Sequence, residues 1–111
     1  MDNLIRQALL YDYYGELLTK QQRKIYGEVF FEDYSESEVA VDEGISRQGV
    51  HDMIARTKKL LEGYEAKLGL VEKHEKRHEL IEMLEAQLKA AKLSATEKKT
   101  LKATIDKLKE I

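Results

Sequence analysis

Apolar residues recur at helical spacing along almost the whole chain, and the breaks between runs carry capping residues. In "NLIRQALLYDYYGELL", Leu4, Ile5, Ala8, Leu9, Tyr11 and Leu18 spread widely around a helix over residues 3–18, which predicts a largely buried element. "TKQQRKIYGEVFFEDY" follows, with Thr19 and Gln22 at capping-box spacing. Ile25, Tyr26, Val29 and Phe30 form its stripe, and Gly27 inside it weakens the helix by about 1 kcal/mol relative to alanine. "SESEVAVDEG" repeats the grammar: Ser35 caps, Glu38 closes the box, Val39 and Ala40 face inward, and Gly44 supplies a left-handed stop.

The next run, "ISRQGVHDMIARTKKLLEGYEAKLG", starts at the cap Ser46 and extends to Gly69. Val50, Met53, Ile54, Thr57, Leu61, Tyr64 and Leu68 fall on one face by 3.6-residue arithmetic. A short helix, a glycine turn and a longer helix make a helix-turn-helix pattern. Beyond Gly69 the apolar stripe narrows. Ile81, Leu84, Leu88 and Ala91 form one seam, Ser94 with Glu97 restarts a capped helix, and Leu101, Ile105 and Leu108 form a second seam. The prediction is an all-α chain: a helix-turn-helix core over residues 1–68, then a charged helical hairpin or coiled-coil extension over 69–111.

Composition narrows the function. The 111 residues include no cysteine and no proline. Disulfides and thiolate metal sites are therefore excluded, and a reducing, cytoplasmic setting is the expectation. No run nears the roughly 18 apolar residues of a membrane span, and nothing at the N-terminus reads as a signal peptide. The net charge of −2 conceals a polarity. Residues 1–44 carry four Lys/Arg against ten Asp/Glu, whereas residues 45–111 carry fifteen against eleven. Nucleic-acid contact therefore has to come from a local patch rather than from the whole surface.

Several motifs invite chemistry. "HEKRH", from His74 to His78, has the H-E-x-x-H spacing that puts two imidazoles on one helix face for zinc. Its intervening residues are Lys76 and Arg77, which suit a solvated helix rather than a dry cleft, so no metal and no catalytic site are assigned. Five of the six tyrosines lie in the N-terminal third, among residues that build the core, and are read as packing rather than base-stacking. There is no phosphate-cradling glycine loop, nucleophile elbow or cysteine nucleophile, so the expectation is a non-enzyme without cofactors. The lysines from Lys89 to Lys109 are read as a solvated face with an auxiliary electrostatic role at most.

"LLTKQQRKIY", followed by "EDYSESEVAVDEGISRQGVHDMIARTKKLLEGYEAKLGL", resembles the YlxM-like family of small bacterial helix-turn-helix proteins over residues 3–80. The same segment is similar to region 4 of sigma factors, which reads the −35 promoter element. The resemblance implies a cytoplasmic regulatory protein with a sigma-region-4-like core. It also implies a link to the signal recognition particle pathway, through gene neighbourhood. Two departures are visible: Gly49 stands where alanine is usual, and the last third is unusually rich in lysine and glutamate.

By analogy with the sigma segment, Arg47, Gln48, His51, Asp52, Arg56 and Lys59 are the candidate nucleic-acid-binding residues. Gln48 suits adenine and Arg47 suits guanine. Asp52 repels phosphate unless it accepts from a cytosine amine, and Glu36, Glu38, Asp42 and Glu43 on the preceding helix are poor neighbours for a backbone. Two functions follow. One is a regulator that binds duplex DNA or structured RNA, acting as a homodimer to double a weak contact. The alternative is a protein-interaction module whose acidic N-terminal face meets a basic partner such as a signal recognition particle component.

Overall fold

The structure, a computed structural model, describes residues 3–111. Among them are six α-helices: α1 (Asn3–Tyr14), α2 (Lys20–Phe31), α3 (Glu36–Glu43), α4 (Arg47–Leu68), α5 (Leu70–Ala90) and α6 (Ala95–Lys109), with a 3-10 turn at Gly15–Leu17. The predicted all-α fold is found. The chain divides into two compact units, Met1–Val71 and Glu72–Ile111.

In the first unit, α4 is the hub against which α1, α2 and α3 all pack. Val50, Thr57 and Leu61 have no exposed surface and Ile54 almost none. These four follow one another at helical spacing, so one stripe of α4 meets Leu10 and Tyr14 of α1, Ile25 and Tyr26 of α2, and Val39 and Ala40 of α3 in a single core. Each fully buried aliphatic side chain in such a stripe stabilises by about 1.5–3 kcal/mol. The buried Thr57 hydroxyl donates to the Met53 carbonyl at 2.8 Å, so no polar group is orphaned there.

The first helix corrects the expectation of a largely buried element. Leu4 and Ile5 are 58% and 55% exposed. Gln7, Leu10 and Tyr14 form the only buried stripe, and the chain leaves α1 through the 3-10 turn rather than continuing as helix to Leu18. Gln7 is buried because its Oε1 accepts the Tyr26 hydroxyl. Burial pushes the Tyr26 phenol up to about 12, with the Glu62 carboxylate adding to the shift. Gly27 has a packing reason as well as a propensity cost. A Cβ there would lie 3.0 Å from the Tyr11 hydroxyl, which donates to the Arg23 carbonyl at 3.1 Å. Leu68, placed by periodicity on the inner face of α4, is 50% exposed.

Gly69 ends α4 in the left-handed region (φ 63°), and α5 begins at the next residue. The first N–H groups of α5 have no helical acceptors of their own. The Tyr14 hydroxyl accepts from Leu70 N–H at 3.0 Å and donates to Glu65 Oε1 at 2.6 Å. The same Glu65 oxygen accepts from Val71 N–H at 2.9 Å. A carboxylate at a helix N-terminus is also favoured by the helix dipole. Burial raises the Tyr14 phenol above its usual value, and the hydrogen bond to Glu65 adds to this. Leu70 and Val71 are thereby held in the first unit.

The second unit is an antiparallel hairpin of α6 against the rest of α5. Arg77 donates to the Ile111 carbonyl at 3.1 Å, Glu85 meets Lys109 at 2.9 Å, and Lys98 reaches the Lys89 carbonyl at 3.3 Å. Ser94 and Glu97 form the predicted capping box. Only Ile81 and Ile105 are buried; Leu84 and Leu101 of the predicted seams remain 43% and 46% exposed.

Tyr14→Phe is expected to destabilise the protein by about 1–2 kcal/mol, since it leaves Leu70 N–H without an acceptor. It should also speed amide exchange at Leu70. Urea denaturation and hydrogen exchange read the two effects; an unchanged midpoint with unchanged exchange would contradict the capping role.

Candidate nucleic-acid interface

The helix-turn-helix is α3, the turn through Ile45, and α4. Its geometry follows from three local devices. Ser35 and Glu38 close a capping box at the start of α3. Gly44 (φ 68°) ends α3 in a Schellman motif: Ile45 N–H reaches the Ala40 carbonyl at 3.1 Å and Gly44 N–H the Val41 carbonyl at 3.3 Å. Ser46 then caps α4, its Oγ accepting from Gly49 N–H at 2.9 Å. Ile45, partly buried, packs against the core at the elbow and fixes the entry of α4.

With Val50, Ile54, Thr57 and Leu61 inward, the outer face of α4 presents Gln48, Asp52 and Lys59 along its centre, with Arg47 and His51 on one flank and Arg56 on the other. All six are exposed. Among the described residues, Arg47, Arg56 and Lys59 form no ion pair. Lys58, by contrast, lies over the Phe30 ring at 4.9 Å and is committed to bracing α4 on α2.

Three of the six site residues have partners that sequence spacing alone did not assign. His51 Nδ1 lies 3.0 and 3.2 Å from the Glu36 carboxylate oxygens, tying the start of α4 to the start of α3. Gln48 Nε2 donates to Asp52 Oδ1 at 2.9 Å, one turn along the same face. The second contact occupies one carboxylate oxygen of the aspartate at the centre of the face. A signal for it was present, because Gln and Asp four residues apart on an exposed helix are natural partners. The Glu36–His51 pair crosses the turn and has no such local signature.

The acidic residues of α3 are mostly spent inside the motif. Glu36 meets His51, Glu38 accepts from the Ser35 N–H at 3.4 Å, and Glu43 lies 2.7 Å from the Lys24 ammonium of α2. The Glu43 carboxylate holds the Lys24 pKa above its usual value. Asp42 alone of the four has no hydrogen bond or ion pair among the described residues, though its charge also acts on Lys24. Of these contacts only Glu43–Lys24 joins opposite charges; the Ser35 N–H leaves the Glu38 charge in place.

Elsewhere, His78 Nε2 pairs with Glu82 at 2.9 Å on an exposed turn of α5. Among the described residues no three His, Cys, Asp or Glu side chains gather as metal ligands. Tyr11, Tyr14 and Tyr26 take part in ring contacts within the core, as their packing role requires. Among the described residues no helix is long and apolar enough to cross a membrane.

Gly49 sits in the first turn of α4, and its missing Cβ would meet Ser46 Oγ at 3.1 Å. The other three capping serine or threonine residues face Gln22, Glu38 and Glu97 at the same position, all with a Cβ. Gly49→Ala should therefore stabilise the protein by about 0.5–1 kcal/mol. A lower denaturation midpoint for the variant would show that Ser46 cannot yield.

The chain matches, over residues 1–103, the UPF0122 family described as "Putative helix-turn-helix protein, YlxM / p13 like". It is 42% identical over 95 residues to a UPF0122 protein of Symbiobacterium thermophilum, an alignment covering 86% of this chain and 89% of the relative. A UPF0122 protein of Listeria innocua is 41% identical over 106 residues, covering 96% and 94%. One of Geobacillus kaustophilus is 44% identical over 84 residues, covering 76% of each. The α3–turn–α4 geometry and these matches agree: the chain belongs to the UPF0122 family of YlxM/p13-like helix-turn-helix proteins.

Proposed function

We propose that the protein is a nucleic-acid-binding regulator whose helix α4 lays its exposed N-terminal face into a duplex groove, in the manner of sigma region 4. The observation that carries this reading is the internal use of the α3 carboxylates beside unpaired cations on α4. Glu36, Glu38 and Glu43 are held by His51, the Ser35 N–H and Lys24, while Arg47, Arg56 and Lys59 remain available. Of these contacts only Glu43–Lys24 joins opposite charges, so the reading rests on the α3 carboxylates having partners inside the motif while the α4 cations point outward.

Within this reading the roles differ along the face. Arg47 and Gln48, in the first turn, are placed to reach base edges, and Arg56 and Lys59 to hold phosphates. Gln48 keeps its carbonyl oxygen and one amide proton for a base while donating the other proton to Asp52. His51 acts mainly through Glu36, fixing how α4 leaves the turn. The protein works as a symmetric pair, since one weakly basic helix gives little affinity alone. Its place is in the signal recognition particle pathway, so that particle's RNA is the first structured RNA to test. The same charge pairing disfavours an acidic docking face for a basic protein, because Glu36, Glu38 and Glu43 would have to give up existing partners.

Fluorescence anisotropy with random-sequence duplex DNA and with the particle's RNA, at low and moderate salt, tests this. Salt-dependent binding is expected for at least one of them. Arg47→Ala with Arg56→Ala should weaken it by about tenfold or more, and Lys59→Ala should reduce the salt slope by about one. No binding at low salt, or binding indifferent to these variants, would reject the assignment. Loss on Glu36→Gln with Asp42→Asn and not on the arginine variants would favour the protein-interaction reading instead.

A further inference from the structure

The hairpin Glu72–Ile111 is about 40 residues long and buries only Ile81 and Ile105. Units of about that size or smaller usually need a disulfide, a metal or an oligomeric partner to be stable. The sequence has no cysteine, and no metal-ligand cluster exists among the described residues. The two sides of the hairpin differ. One holds a groove lined mostly by polar and charged residues, among them Glu85 paired with Lys109. The other is an open apolar groove of about 400 Å³ whose walls include Leu84, Leu88, Leu101, Ile105 and Leu108, with no charged residue. It continues toward the open end of the hairpin past Leu80, where Lys73, Lys76 and Arg77 rim it.

We infer that this groove is closed by the same groove of a second copy of the chain, the two hairpins packing antiparallel across a two-fold axis. Three observations select that occupant. First, a pair of helices about 30 Å long and 20 Å across offers about 600 Å² per copy. The pairing therefore buries about 1,200 Å² in total, at the threshold for a stable interface.

Second, the charges on the groove face are self-complementary when the copies run antiparallel. Glu97 shares its stripe with Leu101, Thr104 and Leu108 at spacings of four, three and four, so it lies on the groove face at the turn end. From Ile105 to Glu97 is eight residues in one direction, and from Leu84 to Lys76 is eight in the other. Each step is about 12 Å. A two-fold axis at the Leu84–Ile105 level thus sets Glu97 of one copy opposite Lys76 and Arg77 of the other. Glu97 Oε1 accepts from the Ser94 N–H of its own chain at 3.3 Å, which leaves Oε2 for a cation. Lys76 also pairs with Glu72 of its own helix at 3.2 Å, which leaves its ammonium room for a second carboxylate.

Third, parallel packing would bring the two sets of three cations together, so the charge pattern specifies orientation as well as partner. Of the functional reading, only the pairing bears on this inference; it holds whether or not α4 meets a nucleic acid.

The absence of cysteine permits a direct test on the full chain without nucleic acid. Lys76→Cys and Glu97→Cys in one chain lie about 24 Å apart along the hairpin, too far to bond within a copy. In the antiparallel pair each faces its counterpart, so mild oxidation should give a disulfide-linked dimer, while Lys76→Cys alone should not. Sedimentation equilibrium should give about twice the 12.9 kDa chain mass for the unmodified protein. Leu84→Glu with Leu101→Glu should return it to the monomer, with helix content read by circular dichroism. A monomeric unmodified protein at tens of micromolar would overturn the inference. So would a dimer untouched by the groove substitutions, or cross-linking that is equal in the single-cysteine control. If the glutamate variant unfolds, the cysteine pair still decides.

Discussion

One buried stripe on α4 carries the first unit. Val50, Ile54, Thr57 and Leu61 are the surface on which α1, α2 and α3 converge, and those three helices contribute few buried side chains each. None of them has a core of its own. Because inner and outer faces of a helix are locked together by its period, the packing that buries this stripe also sets which side chains α4 turns outward. Gln48, Asp52 and Lys59 face away from the core because Val50, Ile54 and Leu61 face into it. The candidate interface is thus a direct consequence of the core.

Electrostatics completes the site. An acidic segment just before a recognition helix looks hostile to a polyanion when charges are counted along the chain. Folding gives most of those carboxylates partners within the motif. The carboxylate of Glu36 goes to His51, that of Glu43 to Lys24, and that of Glu38 to its own cap. The pairs are exposed or only partly buried, and each adds little to stability. Beside α4 they tie the α3 carboxylates to partners within the motif, while Arg47, Arg56 and Lys59 point outward. Net charge per segment describes composition, whereas the field a partner meets depends on which charges have already found one another.

Local grammar was legible. The boxes at Thr19, Ser35 and Ser94, the stops at Gly44 and Gly69, and the inner stripe of α4 all follow from residue types at fixed offsets. Contacts between distant segments were not. Nothing in the neighbourhood of Tyr14 announces that its hydroxyl holds Leu70 N–H, fifty-six residues away. Nor does the sequence near Gly27 show that the Tyr11 hydroxyl occupies the space of a Cβ. The N-terminal helix was misjudged for a related reason: Leu4 and Ile5 widen its apolar arc, yet no helix of the first unit reaches far enough to cover them. At the interface, the face was readable from period and resemblance, while the Glu36–His51 pair required the turn to be built first.

The central claim is that the outward face of α4 is where a nucleic acid is bound. The most direct measurement is an amide-resolved NMR titration of the full protein with a short duplex at low salt. The account predicts that the perturbed amides cluster from Ser46 to Lys59, with Asp42 and the α3 amides moving less. Perturbations confined to the lysine-rich hairpin, or spread over α1 with α4 silent, would contradict it.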